Sequence, residues 1–267
     1  MNNAIAFSAF SHPGRVRTNN EDNLYLDGVT LTPRTRTAPF SLTGVVDVPC
    51  LFAVCDGMGG EEDGELASLT AVTALDEHAE AMKAAATSGR SDEAVQAFVV
   101  DANKRLCGFM RARGIRMGTT LALAVITHKG VMYYTIGDSR IYALRSGALS
   151  QISEDHTLAI QKVKMGLLTP EQARKGRERH VLTRCLGVFE DEMTLTTDVL
   201  GPFPLEGRLL LCSDGLTDMV SDGDIEGALR GASDAGAATD ALLDEALRNG
   251  GKDNVTCIVI DLGGEGA

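Results

Sequence analysis

The hydrophobic residues of this chain form short continuous runs and longer periodic stretches, and the two patterns predict different elements. Apolar runs of about four to eight residues are typical of buried strands. We predict strands at 4–10, 23–26, 51–55, 119–127, 131–136, 140–144, 148–152, 208–213 and 254–262. Apolar residues at helical spacing predict helices at about 62–84, 92–112, 222–230 and 234–248. Tight turns between neighbouring strands favour antiparallel hairpins, and the segregation of strands from helices predicts an α+β layered fold in one domain.

Two segments interrupt this pattern. Residues 156–182 are polar, basic and compatible with helix, and Pro170 is placed to be the first residue of a helix. Because they separate the strands, we interpret them as an inserted flap. Residues 28–48 are rich in threonine and contain Pro33 and Pro39, which predicts a long surface loop or an irregular hairpin.

Four of the apolar runs carry an aspartate at one end. The aspartates are Asp56, Asp138 and Asp214, which follow their runs, and Asp253, which precedes the last run. One Asp-Gly pair is a common turn, but several carboxylates at strand ends repel one another unless a cation lies between them. Together with the acidic segment 19–22, the aspartates predict a polynuclear site for hard metal ions.

Composition narrows the class of protein. The chain has 267 residues, of which 44% are hydrophobic, enough for a sizeable core. A net charge of −12 argues against nonspecific nucleic-acid binding. No basic region precedes the first apolar residues and no apolar stretch approaches about 18 residues, so we predict neither a signal peptide nor a membrane span. The six cysteines include no Cys-x-x-Cys pair, which indicates reduced thiols in a cytosolic protein.

Two common catalytic site types are excluded by spacing. The five histidines are scattered and none has zinc-ligand spacing. No serine lies in a Gly-x-Ser-x-Gly motif, so a serine triad of that type is also excluded. His156 and His180 flank the flap, and we expect both to be structural.

Seven short motifs occur in a fixed order along nearly the whole chain. They are GRVRTNNED at 14–22, VCDGMGG at 54–60, MGTT at 117–120, IGDSR at 136–140, LTRCLG at 182–187, CSDGLTD at 212–218 and GKDNVT at 251–256. Each motif alone is weak evidence, whereas the ordered set is specific. The set resembles the metal-dependent protein phosphatases, the PPM or type 2C family of serine/threonine phosphatases, in their small bacterial form.

The resemblance implies a fold and an activity. The implied fold is an α+β, four-layer αββα sandwich of two antiparallel β-sheets with helices on both outer faces, in one domain over residues 1–267 with the flap at 156–182. The implied enzyme is a phosphoprotein phosphatase, a phosphoric monoester hydrolase that removes phosphate from phosphoserine and phosphothreonine by direct attack of a water bridging two Mn²⁺ or Mg²⁺ ions. Implied partners are phosphorylated proteins, including a bacterial serine/threonine kinase and its substrates. We expect a cytoplasmic monomer.

The resemblance also assigns the residues of the two principal ions. Asp56 matches the carboxylate that bridges both ions. Asp214 and Asp253 match the other ligands of the first ion, and the carbonyl of Gly57 matches a ligand of the second. Arg17 matches the arginine that binds phosphate, for which a guanidinium offers two parallel hydrogen bonds. Without the motif, a surface ion pair of Arg17 with the neighbouring acidic residues is the simpler interpretation.

Further acidic positions complete the implied site. Glu21 and Asp22 match residues that hold metal-bound waters or bind metal directly. Asp138 and Asp218 match positions that, with Asp214, hold a third, weaker ion in bacterial relatives.

The chain departs from the family pattern at two positions. Met58 replaces a histidine that is a proposed general acid in some relatives, and Glu61 replaces a histidine found in many bacterial relatives. Two other function classes compete with the phosphatase. A phosphatase-like binding module without activity is disfavoured because the matched metal and phosphate residues are intact. A phosphohydrolase with an aspartyl nucleophile is disfavoured because Asp22 and Asp56 lack the Asp-x-Asp spacing of such enzymes.

Overall fold

The computed structural model describes residues 4–33, 38–59, 63–187 and 197–263. The described strands are β1 (Ala4–His12), β2 (Asp22–Leu26), β3 (Phe40–Asp47), β4 (Cys50–Gly59), β5 (Met117–Thr119), β6 (Leu121–Thr127), β7 (Gly130–Ile136), β8 (Arg140–Arg145), β9 (Ala148–Gln151), β10 (Asp198–Phe203), β11 (Arg208–Cys212) and β12 (Val255–Asp261). The described helices are α1 (Asp63–Thr87), α2 (Ser91–Arg113), α3 (Leu158–Lys164), α4 (Pro170–Lys175), α5 (Asp214–Thr217), α6 (Asp222–Gly231) and α7 (Ala235–Arg248), with a 3₁₀ turn at Arg177–His180.

The strands form two antiparallel sheets. The first has the order β3-β1-β12-β11-β8-β9, and the second has the order β10-β7-β6-β4-β2, with β5 paired to the end of β4. Helices α1 and α2 pack on the outer face of the second sheet, and α6 and α7 pack on the outer face of the first. The predicted α+β, four-layer sandwich with helices outside both sheets is therefore confirmed.

Strand β4 shows why the sheets appear in the sequence as continuous apolar runs. Ala53 and Cys55 face the helices, whereas Phe52 and Val54 face the opposite sheet, so all four are buried. In the layer between the sheets, Phe7 and Phe52 approach with ring centroids 5.1 Å apart. A strand covered on both faces has no polar face, and its sequence does not alternate.

The chain changes sheets at residues 137–139. Strands β6 and β7 form a hairpin in the second sheet, whereas β8 and β9 form a hairpin in the first. The predicted antiparallel hairpins are thus both present. The crossing places Asp138 at the end of the sandwich where strands of both sheets terminate.

Two parts of the sheet prediction were wrong. Residues 40–47, expected within a loop or irregular hairpin, form the regular edge strand β3, which pairs with β1 in continuous register. Strand β10 was not predicted, because Gly201 and Pro202 give its sequence the character of a turn. Both strands lie at sheet edges, where proline and glycine are tolerated. Residues 34–37 of the predicted loop lie outside the described residues, as do Gly60 and Glu61.

The flap region contains short helices, as predicted. Residues 158–164 form α3 and residues 170–175 form α4, with Pro170 at its first turn and a capping box made by Thr169 and Gln172. All six cysteines are free thiols, and five of them are buried. Over the described ranges, none of the helices has the length and apolarity that a bilayer crossing requires.

Candidate active site

Two of the predicted site residues face each other across neighbouring strands. Asp22 on β2 is paired in register with Asp56 on β4. Asp22 is almost fully buried, and Asp56 is partly exposed. Like charges directly opposite one another destabilise a sheet. The fold therefore holds two carboxylates together at a place where they repel.

The first sheet and the sheet crossing supply the other carboxylates. Asp214 follows β11 as the first residue of α5, Asp253 lies two residues before β12, and Asp138 follows β7. Electrostatic repulsion connects Asp56 with Asp22, Asp214, Asp138 and Asp253. The four other aspartates are thus all near enough to Asp56 to repel its charge.

Burial and mutual repulsion shift the protonation of this cluster. Burial raises the pKa of Asp22 to about 7, with repulsion from Asp214 and Asp253 adding to it and a hydrogen bond from Ser213 opposing it. Burial and the charge of Asp214 raise the pKa of Asp138 to about 8. Burial and its carboxylate neighbours also raise the pKa of Asp56 well above its ordinary value. Carboxylates this crowded stay protonated or require cations, and their oxygens are ligands that Mg²⁺ and Mn²⁺ prefer. The donor set therefore fits hard divalent ions.

Glycine at position 57 is required by close packing of backbone. A Cβ on Gly57 would lie 2.0 Å from the Gly64 carbonyl oxygen and 2.6 Å from the Glu21 carbonyl oxygen. The Gly57 N–H donates to that Glu21 oxygen at 3.2 Å. No side chain fits there, so the strand bearing Asp56 runs tightly against both the acidic segment and the start of α1.

Two polar residues hold the acidic segment in place. Asn254 accepts a hydrogen bond from the Glu21 N–H at 2.8 Å and donates to the Asn19 carbonyl at 2.7 Å. Ser213 donates to Asp22 Oδ2 at 2.8 Å. These residues tie the segment to the two loops that carry Asp253 and Asp214. Both lie in the motifs quoted above, but their positioning contacts depend on tertiary packing and were not predicted.

Arg17 points at the cluster. Its Nη2 lies 2.8 Å from Asp253 Oδ2, and the two side chains are 50% and 40% exposed. The simpler interpretation of Arg17, an ion pair with a neighbour in sequence, gives the wrong partner. A half-exposed guanidinium at the edge of a carboxylate cluster is accessible to an anion from solvent.

Cations from the flap region reach the opposite side of the cluster. Arg179 makes a two-pronged ion pair with Asp218, with Nη2 3.0 Å from Oδ2. His180 Nδ1 lies 3.5 Å from Asp214 Oδ2, and His180 Nε2 lies 3.7 Å from Asp218 Oδ2. A hydrogen bond with Asp214 raises the pKa of His180. The contact of Arg179 was not predicted, because no motif marks it in the sequence.

These residues border a cavity of about 490 Å³ between the flap and the core. Asp138, Asp214 and Asp218 line it together with residues of α3 and α4. The ligand atoms of His180, Asp214 and Asp218 lie within 4.8 Å of one another, close enough to share a cation. The three acidic residues predicted to hold a third ion therefore line the same cavity.

Comparison with known proteins identifies the family. The family described as "Protein phosphatase 2C" matches residues 40–248. The serine/threonine phosphatase stp of Listeria innocua is 32% identical over 252 residues, which cover 93% of this chain and 92% of that protein. The crystal structure of the Mycobacterium tuberculosis serine/threonine phosphatase PstP/Ppp superposes with a TM-score of 0.80 at 32% identity, covering 97% of this chain and 100% of that one. The catalytic domain of PstP in complex with two manganese ions superposes with a TM-score of 0.76 at 31% identity, covering 97% and 98% of the two chains. The chain belongs to the protein phosphatase 2C family and is a phosphoprotein phosphatase.

Proposed function

We propose that this chain hydrolyses phosphoserine and phosphothreonine in proteins with two bound Mn²⁺ or Mg²⁺ ions and a third, more weakly bound one. The observation that carries the proposal is the cross-strand pair of Asp22, which is buried, and Asp56, which is partly exposed, together with the aspartates whose charges repel that of Asp56. A cluster of this kind costs folding free energy unless cations occupy it. The relative that binds two manganese ions supports the same conclusion.

The proposed ligands follow from the arrangement. Asp56, Asp214 and Asp253 would hold the first ion, and Asp56 with the Gly57 carbonyl would hold the second. Glu21 and Asp22 would accept hydrogen bonds from water around these ions or bind them directly. Asp138, Asp214 and Asp218 would hold the third. Bound divalent ions would supply an activated water and offset the charge of the phosphate.

The chain's own residues contribute binding and exclusion. Arg17 can release Asp253 and offer its two N–H groups to a phosphate, a geometry that a lysine cannot reproduce. The thiols near the site are unsuited to nucleophilic attack. Cys55 is fully buried, and burial raises the pKa of its thiol far above the ordinary value. Burial raises the pKa of the Cys212 thiol to about 12. Neither thiol is therefore a candidate nucleophile, and we propose that water attacks the phosphorus.

The biological setting belongs to the same proposal. Substrates would be phosphorylated proteins, among them a serine/threonine kinase that the phosphatase opposes and the targets of that kinase. We infer a cytoplasmic monomer in which residues 1–267 form one phosphatase domain and 156–182 form its flap.

Metal dependence provides the first test. Hydrolysis of a phosphothreonine peptide should vanish after EDTA treatment and return with Mn²⁺ or Mg²⁺, with a phosphotyrosine peptide as the control for substrate class. Full activity in metal-free protein would contradict the proposal.

Stereochemistry provides the second test. Each in-line displacement inverts the phosphorus, so direct attack by water gives net inversion with a chiral phosphate monoester and no phosphoenzyme on acid quench. Net retention, or phosphate found on Asp22 or Asp56, would instead indicate two displacements through an aspartyl phosphate.

A further inference from the structure

His156 is a buried histidine that joins three parts of the molecule. It lies directly before the flap helices and is only 6% exposed. Its ring Nδ1 accepts a hydrogen bond from the Gly137 N–H at 2.9 Å. The backbone N–H of His156 donates to the Gly137 carbonyl, also at 2.9 Å. Its Nε2 lies 2.9 Å from Asp198 Oδ2 on β10. The imidazole thus connects the sheet crossing, the flap and an edge strand.

These contacts assign one tautomer to the ring. Because the Gly137 N–H donates to Nδ1, that nitrogen carries a lone pair and no proton. The ring proton therefore lies on Nε2, where Asp198 accepts it. Arg184 Nη1 lies 2.6 Å from Asp198 Oδ1 and 3.0 Å from His156 Nε2, so the guanidinium packs against both the carboxylate and the ring. A guanidinium N–H only donates, and with Nδ1 already an acceptor a neutral ring keeps its proton on Nε2. Both ring nitrogens are committed, and neither is free to act on a substrate.

The contacts of His156 also close the base of the flap. Its carbonyl accepts a hydrogen bond from the Thr183 N–H at 2.8 Å, and the Leu158 N–H donates to the Val181 carbonyl at 2.8 Å. A β-bridge joins Thr157 to Leu182. The two ends of the flap are therefore held together beside the ring.

Residue Gly137 is held from its other side by Thr120. It has a φ of +102°, and a Cβ there would lie 2.6 Å from Thr120 Cγ2. Thr120 in turn accepts a hydrogen bond from the Asp56 N–H at 2.9 Å and lies 2.6 Å from Ser139 Oγ. The segment that carries Asp138 is thus wedged between Thr120, which contacts Asp56, and His156, which holds the flap.

We propose that His156 is a positioning residue for the phosphatase reaction. Its Nδ1, as the acceptor for the Gly137 N–H, fixes Asp138 beside Asp214 and makes that placement depend on the base of the flap, whereas its Nε2–H ties the ring to Asp198 without setting the position of Asp138. The inference rests on the proposed function, in which Asp138 and Asp214 hold the third cation.

Two near-isosteric variants separate the two ring contacts. In His156→Asn, the amide oxygen takes the place of Nδ1 and keeps an acceptor for Gly137. In His156→Gln, the longer side chain reaches the place of Nε2 and keeps a donor for Asp198, but Gly137 loses its acceptor. The matched control is His78→Gln, because His78 Nε2 also contacts an aspartate, Asp101 at 3.1 Å, but does so between α1 and α2.

We expect His156→Asn to keep Mn²⁺ stoichiometry, measured by electron paramagnetic resonance, and kcat on a phosphothreonine peptide within about threefold of the native chain. His156→Gln should lose about tenfold in affinity for the weakest Mn²⁺ ion and about tenfold in kcat, the range typical of residues that orient metal ligands. His78→Gln should match the native chain. Equal losses in the asparagine and glutamine variants would overturn the proposal.

Nuclear magnetic resonance of the native chain and the two variants tests the geometry without metal and without an activity assay. We expect His156 to show a protonated Nε2 and an unprotonated Nδ1, with a downfield Gly137 amide proton that moves in His156→Gln and stays in His156→Asn. A proton on Nδ1 would overturn the inference. Because these spectra do not depend on activity, failure of the positioning role is distinguishable from failure of the metal-dependent phosphatase.

Discussion

The carboxylates of the sandwich and the cations of the flap are held in opposite ways. Asp22 and Asp56 lie on paired strands of one sheet, so the hydrogen bonds of β2 and β4 fix the distance between them. Arg179 and His180 lie on a short 3₁₀ turn whose side chains are 37% and 46% exposed. Moving the aspartates apart requires unfolding of the sheet, whereas moving the cations away requires only loss of partly exposed ion pairs.

This difference concerns the source of the charge that neutralises the carboxylate cluster. A sheet cannot relieve repulsion between its own carboxylates, so the neutralising charge has to come from protons or cations from outside the sheet. The flap supplies one such cation, Arg179, to Asp218 at the edge of the cluster. Exposed ion pairs contribute about 0–1 kcal/mol to stability. The ion pair from the flap can therefore break and re-form without unfolding, whereas the carboxylates fixed by the sheet need neutralising charge for as long as the chain is folded.

The largest effect should come from neutralising a carboxylate on a strand. Asp56→Asn keeps the shape of the side chain but removes a charge shared by the whole cluster, so we expect kcat/KM on a phosphothreonine peptide to fall by more than about 100-fold. The matched control is Asp240→Asn, the same replacement at an exposed position of α7, which should change activity less than twofold. Similar losses in both variants would remove the distinction between the cluster and the surface.

The second prediction concerns stability of the metal-free chain at different pH. The pKa values of about 7 for Asp22 and about 8 for Asp138 lie above the ordinary value of about 3.9 for an unfolded chain. The folded state therefore binds more protons than the unfolded state between about pH 4 and pH 8, and stability should fall as pH rises through that window.

In EDTA, we expect the melting temperature to be about 5–10 °C lower at pH 8 than at pH 5, and Mn²⁺ at pH 8 to restore it. Calorimetry of Asp22→Asn provides the comparison, because its melting temperature should depend less on pH. A metal-free chain that gains stability between pH 5 and pH 8 would show that the cluster is not under repulsion.

The sequence predicted the carboxylates of the sandwich much better than the cations of the flap. Asp56, Asp138, Asp214 and Asp253 are visible because a buried strand makes an apolar run, and a polar residue at its end is conspicuous. Whether two runs lie in the same sheet is a property of tertiary structure, so the register of Asp22 with Asp56 had to come from the fold.

The flap contacts left no such trace in the sequence. Arg179 lies among several basic residues of similar spacing, and only packing against the core selects it as the partner of Asp218. Edge strand β10 was missed for a related reason, since Gly201 and Pro202 favour a turn locally while pairing with β7 decides the conformation. The same strand carries Asp198, the partner of His156 Nε2, so this contact of His156 could not be predicted either.

A third, smaller effect should come from Arg17, which lies beside the cluster without being part of the sheet. Arg17→Ala should lower kcat/KM about tenfold, and Arg17→Lys should recover part of the loss, because lysine keeps the charge but not the two-pronged geometry. Arg15→Ala, an exposed arginine two residues away, is the control and should stay within about twofold of the native chain. Unchanged kinetics in the Arg17 alanine variant would assign Arg17 to a surface ion pair with Asp253.

The smallest effect on activity should come from Arg179, and it tests whether the flap contact is reversible. Arg179→Ala removes a partly exposed ion pair, so the melting temperature should fall by no more than about 2–4 °C. Asp218 then loses its guanidinium partner, and we expect Mn²⁺ to bind the weakest site more tightly while kcat changes less than threefold. Amide hydrogen exchange in α4 should become faster, because one contact that holds the flap to the core is gone.

Lys175→Ala is the matched control, since Lys175 pairs only with Glu171 of the same helix among the contacts described. If Arg179→Ala instead lowered the melting temperature by more than about 10 °C, the flap would be a fixed part of the core and the contrast between the two regions would fail.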